Sequence, residues 1–142
     1  MSAVEITSNE SVAIEQNKVL LFPNGIPGFE KYTKYRIFHK EENEYDVYWL
    51  EPCDDPEVTF TLVDPVGYGL HYDLTLTDDE EKELEVSDPK TVAIFLMLSK
   101  KEDAKSGLNA NIGGPIIINV ASHKGIQKVL KQSNVRTMIV SD

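Results

Sequence analysis

Hydrophobic residues in this chain occur in short runs that are separated by Pro, Gly, Asn or Asp. Most of the runs are rich in Val, Ile, Phe, Tyr and Thr, which are the residues that favour strands. Runs of this length and composition predict a chain built almost entirely of β-strands. The predicted strands are Val4 to Thr7, Val12 to Ile14, Val19 to Phe22, Tyr35 to Phe38, Val47 to Glu51, Thr59 to Val63, Tyr72 to Thr77, Thr91 to Ser99, Leu108 to Asn111, Pro115 to Val120 and Gln127 to Leu130.

Two of the runs are apolar at every position, Val92 to Leu98 and Ile116 to Ile118. Continuous apolar character predicts strands that are covered on both faces, as at the centre of a closed sheet. Many short strands without the spacing of βαβ units indicate an all-β fold class, a small barrel-like or closed two-sheet domain. Closure of the sheet would also remove the exposed edges that promote aggregation.

One segment favours a helix. Thr77 is suited to the N-cap, acids follow it from Asp78 to Glu81, and Leu84 supplies an apolar side. Acids in the first turn complement the positive end of the helix dipole, so we expect one short helix with an exposed acidic face. The segment Lys124 to Gln132 is compatible with a helical turn or with a strand, because its apolar spacing is helical while Gly125 and its β-branched residues are not.

The length of 142 residues is enough for one domain with a real core, and we expect a single domain over 1–142. The longest apolar run is far shorter than the roughly 20 residues that span a bilayer, so no membrane association is predicted. The first ten residues carry acids where a secretory signal is basic and then apolar. With one cysteine, Cys53, and hence no internal disulfide, the chain is expected in the cytoplasm.

Charge is divided unevenly along the chain. Residues 41–88 hold 17 acids and one base, whereas residues 1–40 hold 4 acids and 5 bases and residues 89–142 hold 3 acids and 8 bases. A surface of one sign speeds the encounter with a partner of the opposite sign and repels nucleic acid. The pattern therefore favours a basic protein as partner over direct binding of nucleic acid, although surface acids also serve solubility alone.

The residues that could support catalysis or bind a metal form no recognisable pattern. His39, His71 and His123 lie on separate predicted elements, and Cys53 has no second cysteine with which to share a metal. The glycines never form a phosphate-binding loop that opens a helix. We therefore predict no catalytic residue, no metal site and no cofactor.

Two acidic arrangements could in principle form a cation site or a catalytic pair. The cluster Asp54, Asp55 and Glu57 lacks the alternating ligands and central glycine of a calcium loop, and the flanking prolines favour a turn. Asp64 and Asp73 could act as an acid and base pair if they met in a cleft, but their spacing does not require it. An enzyme remains the weaker interpretation.

The segment Phe22 to Glu30 contains two turn signals in series. Asn24-Gly25 predicts a pair of positive φ angles, and Pro27-Gly28 is typical of a type II turn. Such a loop is rigid, so Ile26 and Phe29 should project either into the core or toward a partner. The residues expected to shape this structural loop are Pro23, Gly25, Pro27, Gly28 and Phe29.

Several segments, taken in order along the chain, resemble the flagellar assembly factor FliW family. The resemblance runs from about Lys18 to Leu130, and the loop at 22–30 and the segment 111–119 are its most specific parts. The segments are Phe22 to Glu30, Tyr48-Trp49-Leu50, Asp55-Pro56-Glu57, Val63-Asp64-Pro65, Tyr72-Asp73-Leu74, Val92-Ala93-Ile94 and Ala110 to Asn119.

The resemblance implies a cytoplasmic, barrel-like, non-enzymatic binding protein. Members of that family bind the translational repressor CsrA and also flagellin, so that free flagellin sequesters the factor and its export releases the factor to antagonise the repressor. The resemblance also implies contacts near the Tyr72-Asp73 strand and the connection from Ser99 to Asn111. The partner-binding residues expected on this basis are Tyr72, Asp73, Leu74, Asn109 and Asn111.

Two alternatives to this interpretation stay open on the sequence. The first is an acidic interaction module for a different basic client protein. The second is a small β-barrel enzyme whose site has no sequence signature.

Overall fold

The computed structural model describes residues 4–7, 18–42, 45–65, 70–100, 108–110, 114–129 and 135–137. Within these ranges the chain forms strands, one α-helix and one 3-10 turn. The strands are β1 (Val4–Thr7), β2 (Val19–Leu21), β3 (Lys34–Glu42), β4 (Tyr45–Pro52), β5 (Phe60–Val63), β6 (Leu70–Leu76), β7 (Val92–Lys100), β8 (Leu108–Ala110), β9 (Ile116–Asn119), β10 (Lys124–Gln127) and β11 (Val135–Thr137); the helix is α1 (Asp78–Leu84), and the 3-10 turn is Pro89–Thr91.

Seven of these strands close into a barrel in the order β5, β4, β3, β2, β10, β9, β7, and a β5–β7 pairing completes the ring. The pairings are antiparallel except where β10 meets β2, which run parallel at Lys124 and Leu21. Strand β8 pairs with the far end of β7, and β1, β6 and β11 form a separate three-stranded sheet. The prediction of an all-β, barrel-like fold with one short acidic helix is confirmed.

Strand β7 supplies side chains to two hydrophobic cores. Val92, Ile94 and Leu96 pack in an outer core with Leu74 and Leu76 of β6 and with Leu84 of α1. Ala93 and Phe95 point to the other side, into the barrel interior with residues such as Phe22, Tyr35 and Ile118. The sheet of β1 and β6 therefore covers one outer face of the barrel, with α1 packed beside it.

This arrangement explains the continuous apolar runs of the sequence. A strand of the barrel that also lies beneath the covering layer has no solvent-facing side, so period-two alternation disappears. Residues 92–96 and 116–118 are buried, and Met97 and Leu98 at the end of β7 are half-buried. The predicted burial on both faces is confirmed for residues 92–96 and 116–118 and is wrong for Met97 and Leu98.

The predicted elements and the observed ones differ at a few places. The segment from Lys124 forms a strand and not a helical turn, and that strand, Lys124–Gln127, ends where the predicted strand Gln127 to Leu130 begins. Strand β11 was not predicted from the sequence. The predicted strand Val12 to Ile14 lies outside the described residues.

Asn119 joins the barrel to the covering layer. Its buried side chain donates from Nδ2 to the carbonyl oxygens of Leu84 (2.9 Å) and Glu85 (3.2 Å), where α1 ends. Its Oδ1 accepts from Thr91 Oγ1 at 2.8 Å and from the Ala121 N–H at 3.1 Å. One amide thus satisfies helix-terminal carbonyls that the helix leaves without an internal partner.

We expect Asn119→Ala to lower the free energy of unfolding by about 2 to 3 kcal/mol, because the four hydrogen bonds of the buried amide are lost together. Urea denaturation followed by circular dichroism measures the change. The control is Asn24→Ala, which removes an exposed hydrogen bond to Glu83 and should change stability by less than about 0.5 kcal/mol. Equal effects of the two substitutions would contradict the role assigned to Asn119.

Candidate partner-binding surfaces

The loop between β2 and β3 is built from consecutive tight turns. The Gly25 N–H donates to the Phe22 carbonyl at 2.9 Å, and the Phe29 N–H donates to the Ile26 carbonyl at 2.7 Å. Gly28 has a φ of 90°, which fits the third position of a type II turn after Pro27. The predicted turn at Pro27-Gly28 is confirmed.

The predicted pair of positive φ angles at Asn24-Gly25 is wrong in part. Gly25 has a φ of 67°, but Asn24 is not among the residues with positive φ. Pro23 fixes φ at the second turn position, so the chain makes an ordinary turn through Asn24 and enters the left-handed region only at Gly25. A Cβ on Gly25 would lie 2.7 Å from the Glu30 Cα, so the position also requires glycine for space.

The two apolar side chains of this loop go to different places. Ile26 is buried in the barrel interior, whereas Phe29 is half-buried and packs edge-to-face on Phe60 with 5.0 Å between ring centroids. Tyr32 then donates from its hydroxyl to Asp55 Oδ2 at 2.8 Å, which ties the loop to the turn between β4 and β5. The loop is held at both ends.

An apolar groove opens beside Phe29. It has a volume of about 330 Å³ and its apolar lining consists of Ile26, Pro27, Phe29, Phe60, Met97 and Val129. Val129 is 81% exposed, and the other exposed large hydrophobic side chain in the described part of the chain, Val19, is 44% exposed. Only the loop residues of this groove could be predicted from the sequence, since Phe60, Met97 and Val129 come from distant segments that carry no local signal.

An acidic cleft of about 160 Å³ adjoins the groove, and both are lined by Pro27 and Gln127. Three carboxylates line the cleft, those of Glu30, Glu80 and Glu83. Lys128 Nζ contacts Glu80 Oε1 at 2.6 Å. Glu30 accepts from the Gly28 N–H and Glu83 accepts from the Asn24 amide, which are neutral donors.

Helix α1 has the predicted cap and a more complex charge environment than the sequence suggested. Thr77 is the N-cap and forms a capping box with Glu80. Lys124 forms an ion pair with Glu85, as Lys128 does with Glu80, so bases distant in sequence offset part of the acidic segment. Asp78 and Asp79 at the start of the helix remain exposed.

The predicted contact residues lie on two elements of the fold. Tyr72 and Asp73 belong to β6, and Asn109 belongs to β8. Leu74 is 1% exposed and packs in the outer core, so it is inaccessible to a partner here and serves to hold β6 on the barrel. Asn111 lies outside the described residues.

The possible metal ligands and catalytic residues of the described part of the chain are dispersed. Within the ranges that the structure covers, no three His, Cys, Asp or Glu side chains gather in a way that could hold a metal ion. His39 stacks on Tyr48 with 4.4 Å between ring centroids, and Cys53 is half-buried as a free thiol. None of the helices in that part of the chain is long and apolar enough to cross a membrane.

The fold defines a class, a small closed β-barrel with a second sheet and a capped acidic helix packed on its outside. A family model described as FliW protein matches residues 3–139, and the chain belongs to this family. The flagellar assembly factor FliW 1 of Desulfotalea psychrophila is 56% identical over 128 residues, which cover 90% of this chain and 91% of that one. The flagellar assembly factor FliW of Chromobacterium violaceum is 34% identical over 83% of this chain and 86% of its own length.

A solved structure gives the same fold. The crystal structure of a flagellar assembly factor FliW superimposes with a TM-score of 0.69 at 24% identity, over 96% of this chain and 95% of that one. The family that the sequence resembled is therefore confirmed by sequence comparison, and the barrel-like architecture is confirmed by structural comparison.

Tyr35 lies at the centre of the barrel interior, and its buried hydroxyl has no hydrogen-bond partner among the described groups. Burial, and to a smaller extent the neighbouring Tyr32, raises the pKa of Tyr35 to about 12. An unfolded tyrosine ionises near about pH 10. The contribution of the neutral Tyr35 phenol to the free energy of unfolding is thus fully present below about pH 10 and is lost as the pH rises toward about 12.

We expect Tyr35→Phe to be at least as stable as the parent chain at pH 7, because it removes a buried hydroxyl without a partner. It should also lose less stability than the parent between about pH 10 and 12. Urea denaturation at both pH values checks this. The matched control Tyr32→Phe loses a hydrogen bond to Asp55 and should be less stable at pH 7 by about 1 kcal/mol; a loss of that size in Tyr35→Phe would contradict the assignment.

Proposed function

We propose that this chain is a non-enzymatic flagellar assembly factor that binds and antagonises the translational repressor CsrA and binds flagellin. In this scheme flagellin occupies the factor until export removes it, and the released factor then blocks the repressor, so that synthesis follows secretion. The observation that carries the proposal is membership of the FliW family over residues 3–139. Since a translational repressor acts on messenger RNA, the proposed site of action is the cytoplasm.

The charge of the molecule supports an electrostatic part of the mechanism. Exposed acids remain after the ion pairs of α1 are formed, at Asp78 and Asp79 on the helix and at Asp54 and Glu57 in the β4–β5 turn. An RNA-binding repressor is basic where it grips RNA, so such acids would attract it. Once the factor is bound, the same acids would repel the phosphates of RNA without filling the RNA site.

The proposed contact surface for the repressor is the region of β6 and β8. Asp73 lies on β6, and α1, on which Asp78 and Asp79 are exposed, follows that strand along the chain. Tyr72, Asp73, Asn109 and Asn111 remain the proposed contact residues. Leu74 is not among them, because its side chain is buried in the outer core, where it supports β6.

The first test is a binding measurement with purified CsrA and purified flagellin on the immobilised chain. Binding of both partners is the expected result. Binding of neither would overturn the proposal and favour an acidic module for a different basic client.

The charge mechanism is tested by changing Asp78 and Asp79 to Lys together, because both side chains are exposed. Glu80 is unsuitable since it closes the capping box and pairs with Lys128. We expect the association rate with CsrA at low salt to fall several-fold and to depend less on salt, as measured by stopped-flow fluorescence.

The matched pair Asp54→Lys with Glu57→Lys makes the same change in net charge in the β4–β5 turn. A smaller effect from this pair would place the steering at the start of α1, and an equal effect would assign it to the whole acidic segment. An unchanged association rate in both variants would exclude steering by these acids.

A further inference from the structure

The apolar groove and the acidic cleft form one continuous surface. The groove is lined by side chains from five parts of the chain, namely the 22–30 loop, β5, β7, β10 and the segment after β10. The cleft begins where the groove ends, since Pro27 and Gln127 line both. A ligand that fills the groove therefore reaches the carboxylates with little additional length.

The groove has the properties of a binding site for apolar side chains. Its volume of about 330 Å³ is within the range of roughly 300 to 1,000 Å³ typical of ligand sites. Val129 stands 81% exposed at its rim, although an apolar side chain of this size gains free energy from burial. An occupant that covers Val129 would recover that gain.

The walls of the groove are already ordered. Phe29 and Phe60 hold each other edge-to-face, and the Pro27-Gly28 turn fixes the backbone on which Phe29 is mounted. A surface that is rigid before binding loses little conformational entropy on binding. The groove is thus suited to receive a ligand without rearrangement.

The cleft adds a charge requirement. Of its three carboxylates, Glu80 is paired with Lys128, while Glu30 and Glu83 accept hydrogen bonds from neutral donors only. A neutral apolar ligand would leave the carboxylates of Glu30 and Glu83 without a cationic partner, whereas a cationic group next to the apolar part of the ligand would complement them.

We propose that the apolar groove and the acidic cleft together bind a short segment of a partner protein in which two or more apolar side chains lie next to Lys or Arg. The inference rests on the proposed function in one respect, namely that this chain acts by binding proteins. It adds the location of a peptide site, distinct in its residues from the β6 and β8 region, and the chemistry of the segment that fills it.

The experiment is a selection of random twelve-residue peptides displayed on phage against the full immobilised chain. We expect the selected peptides to combine apolar residues with Lys or Arg. Fluorescently labelled copies of the selected peptides are then titrated with the parent chain and with variants, and fluorescence anisotropy gives the dissociation constant.

Val129→Lys should weaken peptide binding at least tenfold, because it removes apolar contact at the rim and adds a repelling charge. Val19→Lys is the matched control, since Val19 is also an exposed valine but does not line the groove. Changing Glu30 and Glu83 together to Gln should weaken binding several-fold and flatten its salt dependence, whereas Glu51→Gln on β4, which lines neither the groove nor the cleft, should leave binding unchanged.

Failure to select any peptide would overturn the proposal. Equal effects of Val129→Lys and Val19→Lys would also overturn it, as would peptides without basic residues that ignore the change at Glu30 and Glu83. Binding of purified CsrA and flagellin to the parent chain is measured in parallel and reports on the proposed function separately. If peptides bind the groove but neither CsrA nor flagellin binds the chain, the peptide site is supported and the proposed function is contradicted. If both proteins bind the chain but no peptide binds the groove, only the peptide site is contradicted.

Discussion

The two-sided burial of β7 is the constraint on which the rest of the molecule depends. Its odd-numbered residues Ala93 and Phe95 fill the barrel interior, and its even-numbered residues Ile94 and Leu96 carry the covering layer. The same strand closes the barrel by pairing with β5 and β9. A polar substitution on either face would therefore leave an unsatisfied group in a core, and both cores would lose a shared wall.

The surfaces available to partners follow from this framework. Gly125 lets the ring of Phe22 pack directly on β10, since a Cβ there would lie 2.5 Å from the ring. That contact supports the loop whose turn places Phe29 in the wall of the apolar groove. Asn119, Lys124 and Lys128 hold α1 on the barrel, and Asp78 and Asp79 are exposed at its start. The fold thus places apolar and acidic surfaces close together on one small barrel.

Much of the fold could be predicted from the chain, and the exceptions have physical causes. Composition and run length located nearly all the strands, and Thr77 with its following acids located the helix, because these are local signals. Strand partners are set by long-range packing, so the separate sheet of β1, β6 and β11 had no signature. The residues of the candidate binding surfaces were harder to predict. Leu74 belongs to a core that forms only when β6 covers β7. The groove residues Phe60, Met97 and Val129 come together only in the folded barrel. The segregation of charge was visible, but the return of Lys124 and Lys128 to α1 was not.

In the proposed function one chain serves two partners, and binding of flagellin weakens binding of CsrA. Isothermal titration of the chain into CsrA, in the absence and then in the presence of saturating flagellin, tests this most directly. The account predicts tight binding without flagellin and a loss of at least tenfold in affinity with it. Equal affinity under both conditions would contradict the coupling, even if each partner bound the chain alone.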